Sequence, residues 1–334
     1  MPAKIDIHTH ILPPRLPDFK AKYGYGGFIG LERGWMVRDD GTRFRKISAN
    51  LWDPKRRLAE MDKSKVSLQV LSTVPVMFSY WAKPKDGLDL ARFLNDHIAG
   101  VVSGRPERFA GLGTVPLQAP GLAVKELERC RELGLAGVQI GTNVNGANLD
   151  DPALFPVFEA AAELGMAVFV HPWDMLAPER MKKYWLPWLV GMPAELSVAM
   201  CSMIFGGIIE RLPRLRLAFA HGGGAFGPLL GRIEQGFTAR SDLCAVDNPA
   251  SPRAALGRIY IDSLVHDAKF LSYLIDLFGA DRIALGTDYP FPLGEAEPGR
   301  LISGMSLKPK IRERLMSGTA LEWLGKTKGA LNAL

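Results

Sequence analysis

Short runs of β-branched and other apolar residues recur along the chain, and most are followed by a longer stretch with helical spacing of its apolar positions. The runs predict strands at residues 4–8, 66–71, 109–113, 136–140, 167–171, 215–220, 258–262 and 282–286. The longer stretches predict helices at 89–103, 121–133, 151–164, 194–211, 225–238 and 268–278, with further helices at the C-terminus. Eight strands, seven of them followed fairly directly by helices, imply parallel pairing with right-handed crossovers. The expected fold is α/β, a closed (β/α)8 barrel of the TIM type. A doubly wound open sheet fits the same alternation, but no G-x-G-x-x-G follows the first strand.

One region breaks the pattern. Between about residues 14 and 52 the chain carries Tyr23-Gly24-Tyr25-Gly26-Gly27 and the hairpin-like turn signal Asp39-Asp40-Gly41. It reads as a small subdomain inserted after the first strand, near the C-terminal face of the barrel, where such loops cap active sites. The rest of residues 1–334 is expected to form one domain, because single α/β barrels commonly reach this size.

Composition narrows the classes. With 47% hydrophobic and 23% charged residues in 334, the chain is neither disordered nor a disulfide-stapled miniprotein. Its formal charge of +6 is spread out rather than gathered into a basic stripe with interleaved aromatics, so no nucleic-acid partner is expected. Cys130, Cys201 and Cys244 are odd in number and far apart, which fits reduced thiols in a cytoplasmic protein. The first ten residues are too short and polar for a secretory leader. The most apolar window, 186–209, holds Pro187, Pro193 and Glu195; it is read as a buried or subunit-interface helix, with no membrane partner.

The chemistry gathers at strand ends. His8 and His10 form an H-x-H at the end of the first strand, where alternate side chains share a face. His171 closes the fifth strand, His221 follows the sixth and precedes Gly222-Gly223-Gly224, and Asp288 lies just past the eighth. Any one of these is more simply a core or capping residue. Five polar groups at the end of a barrel where catalytic groups converge point together to a site. Imidazoles with a carboxylate suit zinc or a similar first-row ion. His97, within a helix, and His266, after the seventh strand, are left over; only His266 is placed to line the mouth. Trp173, Trp185, Trp188 and Phe291 cluster near the candidate ligands and could pack under a loop or against a flat conjugated ligand. An arginine fork matches a carboxylate, but spacing alone does not choose Arg45 and Arg232 over Arg180 or Arg240.

The stretches DIHTHILP (from Asp6), TVPVMF (from Thr73), HPWDM (from His171), PWLV (from Pro187), AHGGG (from Ala220) and GTDYPFPLGE (from Gly286) resemble the metal-dependent decarboxylases of the amidohydrolase superfamily. The similarity runs from about residue 4 to about 325, and the narrowest motifs lie at HPWDM, PWLVGMPAE and DYPFPLGE. The resemblance implies a carboxy-lyase with one zinc ion per subunit and no organic cofactor. By it, His8, His10, His171 and Asp288 are the metal ligands. His221 is the general base that deprotonates a metal-bound water, which adds to the substrate before C–C cleavage. The substrate it implies is a small, acidic, conjugated intermediate of tryptophan catabolism through the kynurenine route. Arg45 would hold a substrate carboxylate, Arg232 would reach the neighbouring site of a homodimer, and Trp188 and Phe291 would line the pocket. The sequence departs from the family at none of these positions.

Three other readings stay open. A mononuclear hydrolase is possible on the same barrel; the bridging lysine that binuclear members carry at the end of the fourth strand is missing from Gly137-Val138-Gln139-Ile140. A related aromatic-acid decarboxylase, often using manganese, fits the narrow motifs less well. A catalytically dead metal binder would be expected to lack a ligand or the base, and all five positions are filled.

Overall fold

The computed structural model describes residues 3–326. Eight parallel strands form the barrel: β1 (Ile5–His10), β2 (Leu68–Ser72), β3 (Phe109–Gly113), β4 (Gly137–Ile140), β5 (Ala167–Val170), β6 (Arg216–Phe219), β7 (Ile259–Asp262) and β8 (Ile283–Ala284). Each pairs with its neighbours in chain order. The ring closes where Ile7 N–H donates to Leu285 O at 2.9 Å and His10 N–H to Tyr289 O at 2.7 Å. The strands are buried on both sides, as a parallel sheet covered by helices requires, and so they read as continuous apolar runs.

Seven principal helices surround the barrel: α1 (Pro54–Ser64), α2 (Pro84–Gly104), α3 (Pro120–Glu132), α4 (Phe155–Glu163), α5 (Met192–Phe205), α6 (Phe226–Ala239) and α7 (Ala268–Phe278). The sequence pattern does not reveal α1, because only Leu58, Met61 and Ala59 interrupt its polar run. Its boundaries are nonetheless local: Asp53 caps the Lys55 N–H and Pro54 occupies the first turn, where its missing N–H costs nothing. The helix expected over 194–211 is really two. It stops at Phe205, because Gly206 and Gly207 turn the chain, Gly207 at φ +69°, before a short helix at Ile208–Arg211. Nor do the prolines interrupt the apolar window. The helical run Pro187–Phe205 is continuous and, by length and composition alone, could cross a membrane, but half of it is buried within the protein.

Two apolar clusters close off the barrel. Side chains on its inner face (Ile5, Ile7, Leu68, Val70, Leu112 and Phe169) meet Leu321, Trp323 and Leu324 of the C-terminal helix, which plugs the N-terminal end. Beyond β1, the chain forms a short helix at Phe19–Tyr23 and a three-stranded antiparallel sheet of Gly30–Glu32, Trp35–Val37 and Arg43–Lys46. Asp39-Asp40-Gly41 makes the turn between its last two strands, with Gly41 at φ +81°. Phe19, Phe28, Met36 and Leu51 of this insertion pack on Val74, Met77 and Leu90, which seats the sheet over the C-terminal mouth.

Candidate metal centre

His8 and His10 come from β1, which carries an irregularity in its pairing between Asp6 and Thr9. Their rings lie 5.2 Å apart and nearly perpendicular. His171 stands 5.0 Å from His8 and 5.1 Å from His10, measured between ring centres. Asp288 completes the group, and one ligand-type atom from each of these four residues lies within 4.8 Å of every other. His10 Nε2 is 2.9 Å and His8 Nε2 3.4 Å from Asp288 Oδ1. Proximity is not satisfaction here: the Nε2 atoms of His8, His10 and His171 and Oδ1 of Asp288 are buried without a hydrogen-bond partner of proper geometry. Four buried, unpartnered ligand atoms converging in one place fit a bound cation.

The outward-facing nitrogens explain the orientation. His10 Nδ1–H donates to Thr73 O at 2.9 Å and His171 Nδ1–H to Pro172 O at 3.0 Å. A carbonyl can only accept, so both rings carry their proton on Nδ1 and offer a lone pair on Nε2. His8 Nδ1 meets Asp262 Oδ2 at 2.7 Å. Burial disfavours charge on His8, but the hydrogen bond to Asp262 and the close Asp288 carboxylate outweigh it and raise its pKa to about 10. A cation entering the site therefore takes the place of a proton. Burial likewise opposes the charge of Asp288, yet His10 and His8 hold its carboxyl well below the usual range. Burial and the neighbouring imidazoles push His171 well down. The donor set, three imidazoles and a carboxylate without a thiolate, fits a single zinc-like ion.

His221 is beside this cluster rather than in it. Its ring centre is 5.1 Å from that of His8 and 5.2 Å from that of His171, and its Nε2 is 3.9 Å from Asp288 Oδ2. Burial first, and then the charge on His8, lower its pKa to about 4, which leaves a neutral imidazole able to accept a proton. Its backbone is left-handed at φ +52°, as is that of Asp288 at φ +57°. Non-glycine residues in that region concentrate at functional sites. The glycines after His221 serve this turn. Gly222 and Gly223 are left-handed too, and a Cβ on Gly224 would come within 2.4 Å of Pro193 O.

Above the cluster opens a cavity of about 250 Å³ lined by His10, His171, Asp288, Arg45, Trp173, Trp185, Trp188 and Phe291. Arg45 reaches it from the last strand of the insertion. Its guanidinium lies 4.2 Å above the Phe291 ring and 5.9 Å from that of Trp188, with no ion pair among the described residues. Burial lowers its pKa from the usual arginine value, although nearby Asp288 opposes this. A cation held between aromatic faces without a counter-ion is suited to an incoming carboxylate. Trp188 Nε1–H is buried and unpartnered at the same wall. A second chamber of about 420 Å³, mostly apolar, meets the first at Trp188, Met192, Asp288 and Leu293 and includes His221 and His266.

Not every candidate joins the site. Arg232 is exposed on α6 and lines neither chamber of its own chain. Arg180 lies in an exposed turn, and Arg240 pairs with Asp242 at 2.8 Å. His97 belongs to α2, away from the cluster, whereas His266 borders the apolar chamber and contacts Leu293 O at 2.9 Å. Two supporting residues escape sequence reasoning. Asp262, at the end of β7, gains no role from the sequence but holds His8. Arg57 looks like a solvated helix charge yet is fully buried, donating to the carbonyl of His10 and to Gln69 Oε1. The signal for Asp262 was its place at a strand end; Arg57 carries none.

Comparison with known proteins gives the family and the fold. Residues 5–326 match the amidohydrolase family. The chain is 57% identical to 2-amino-3-carboxymuconate-6-semialdehyde decarboxylase of Dictyostelium discoideum, over 96% of this chain and 91% of that protein. It is 39% identical to the Caenorhabditis elegans protein of the same name, over 96% and 94% respectively. The fold also superposes on 5-carboxyvanillate decarboxylase of Novosphingobium aromaticivorans, solved with bound manganese, with a TM-score of 0.83 and 23% identity over 97% of both chains.

Proposed function

The chain belongs to the amidohydrolase family and is a metal-dependent decarboxylase; we propose that its metal is zinc and its substrate 2-amino-3-carboxymuconate 6-semialdehyde. The products are carbon dioxide and 2-aminomuconate 6-semialdehyde, a non-oxidative step of tryptophan catabolism in the cytoplasm. The observation that carries the reading is the buried quartet of unpartnered donors (His8, His10, His171 and Asp288) opening into a cavity that holds Arg45. The 57% identity to a decarboxylase of that substrate supports the choice of acid.

His8, His10, His171 and Asp288 would hold a divalent cation, which would supply the Lewis acidity that brings the ionisation of water near neutral pH. Every other part of the reaction falls to the chain itself. Neutral His221 accepts the proton from water, and hydroxide adds to one carbon of a C=C bond of the conjugated acid. The neighbouring, carboxylate-bearing carbon takes up a proton. The electron pair of the C–CO₂ bond then re-forms the C=C bond as carbon dioxide and hydroxide leave, so atoms and electrons balance without an organic cofactor. Arg45 holds a carboxylate while Trp188 and Phe291 flank the planar skeleton, fixing the reacting carbon over the quartet. Arg232 reaches the pocket of the neighbouring subunit in a homodimer, which accounts for its exposure in the single chain.

The test is a continuous absorbance assay on the semialdehyde acid with metal analysis. Loss of the conjugated chromophore should stop on chelation and return with zinc; recovery with manganese alone would overturn the choice of metal. His221→Ala should keep stoichiometric zinc and lose about 10²–10⁴-fold in kcat, the usual weight of a general base. Near-normal turnover of that variant would remove His221 from the role.

A further inference from the structure

We propose that Asp262 is a positioning residue that sets both the metal ligand His8 and the turn carrying His221. The inference rests on the metal centre described above and not on the identity of the substrate. The side chain is fully buried at the end of β7 and makes three contacts. Oδ2 accepts from His8 Nδ1–H at 2.7 Å, and Oδ1 accepts from Gly222 N–H at 2.9 Å and from Leu264 N–H at 3.0 Å.

The first contact directs His8. With its proton held on Nδ1 by a carboxylate, the ring turns Nε2 toward His10, His171 and Asp288 and gains basicity as a ligand. The second reaches the residue that follows His221. That segment has four consecutive residues at positive φ, His221 to Gly224, and the Asp262 carboxylate is a side-chain anchor on its backbone. One carboxylate thus ties a ligand on β1 to the base after β6, from a strand that supplies neither.

Space has been made for the pair. A Cβ on Gly286 would lie 2.7 Å from Asp262 Cβ and 2.9 Å from His8 Cβ, closer than real Cβ atoms approach their neighbours. Gly286 does not need its glycine for backbone conformation, since its φ is not positive. Its lack of a side chain is what lets the carboxylate and the imidazole meet.

The experiment measures zinc affinity of the metal-stripped chain by competition with a chromophoric chelator, with no substrate present. Its outcome is therefore separate from whether the semialdehyde acid is turned over. Asp262→Asn and Asp262→Ala should each raise the zinc dissociation constant about 10–100-fold, the usual cost of losing an outer partner of a ligating histidine. Gly286→Ala, which alters no hydrogen-bonding group, should weaken zinc binding in the same direction by wedging the pair apart. Hydrogen exchange at the Gly222 amide should accelerate in Asp262→Ala, a change that a fault confined to the metal ligand would not produce. Folded variants whose zinc affinity stays within about threefold of wild type overturn the proposal. If every variant fails to fold, the zinc-loaded wild-type protein decides: ¹⁵N-histidine spectra should show His8 protonated on Nδ1 with a slowly exchanging, downfield proton, and an unprotonated Nδ1 overturns the assignment.

Discussion

The two ends of the barrel are made from the same eight strands and are almost equally buried, yet they treat polar atoms in opposite ways. At the N-terminal end, Ile5, Ile7, Leu68 and Phe169 close against Trp323, and the one polar atom of that indole donates to Arg216 O at 3.1 Å. Arg216 Nε and Arg314 Nε are buried near there without a partner, but each belongs to a guanidinium bonded through its other nitrogens, and among the described residues no set of ligand atoms converges there. At the C-terminal end, a few residues further along the same strands, four ligand-type atoms are buried and unpartnered. An unsatisfied buried group costs roughly 1–3 kcal/mol, so four of them converging on one point imply a ligand that satisfies them together. Burial does not tell stability from function in this molecule; the convergence of several unpartnered ligand atoms does.

The sharpest way to break this contrast is to remove a ligand. His171→Ala should abolish stoichiometric zinc and decarboxylation together, with a loss beyond the about 10–100-fold typical of outer partners, while the metal-free melting temperature changes little. Metal analysis and calorimetry check the two halves. The converse change is Trp323→Ala. It should cost about 3–5 kcal/mol in chemical denaturation and leave the zinc affinity of the folded fraction unaltered. If zinc binding falls in step with stability, the two ends are not independent.

Smaller effects refine the picture. Arg45→Gln should raise KM about tenfold or more with less change in kcat, because a charged hydrogen bond to a carboxylate contributes about 1.5–3 kcal/mol. A fall confined to kcat would instead place Arg45 at the reacting bond.

Asp6 lies between the two ends and gives the mildest test. Burial raises its pKa from 3.8 to about 7, although Thr287 and the His8 N–H donate to it. The folded chain keeps this proton up to about pH 7 and the unfolded chain releases it near 3.8. Its stabilising contribution is therefore full below 3.8 and is lost as the pH rises toward 7. Asp6→Asn should flatten that slope in denaturation curves measured across the interval; an unchanged slope would assign it to other groups.

The site was legible to the degree that its residues sit at recognisable places on periodic elements. His8 and His10 are two apart on a strand, and His171, His221 and Asp288 each follow an apolar run, so pattern alone puts all five at one rim. Asp262 and Arg57 resisted the same reasoning. An acid at a strand end and an arginine on a polar helix have ordinary local explanations, and only barrel closure brings Asp262 to His8 and only the docking of α1 brings Arg57 to His10. The helix α1 escaped for a related reason. Its few apolar residues give weak periodicity, so its helical state owes more to its Asp53–Pro54 start and to packing against the barrel than to a hydrophobic stripe.

Residue order by itself settled the strand–helix alternation, and with it the parallel barrel and the end at which the chemistry collects, because these follow from local periodicity and from the handedness of the chain. Distance was decided elsewhere. That three imidazole nitrogens and a carboxylate oxygen fall within 4.8 Å and that His221 stands aside from them are consequences of ring closure, and Arg45 arrives because the inserted sheet packs over the mouth. Closing the barrel brings positions 8 and 288 into contact across nearly the whole length of the chain, and no local pattern encodes a separation in space between residues so far apart in sequence.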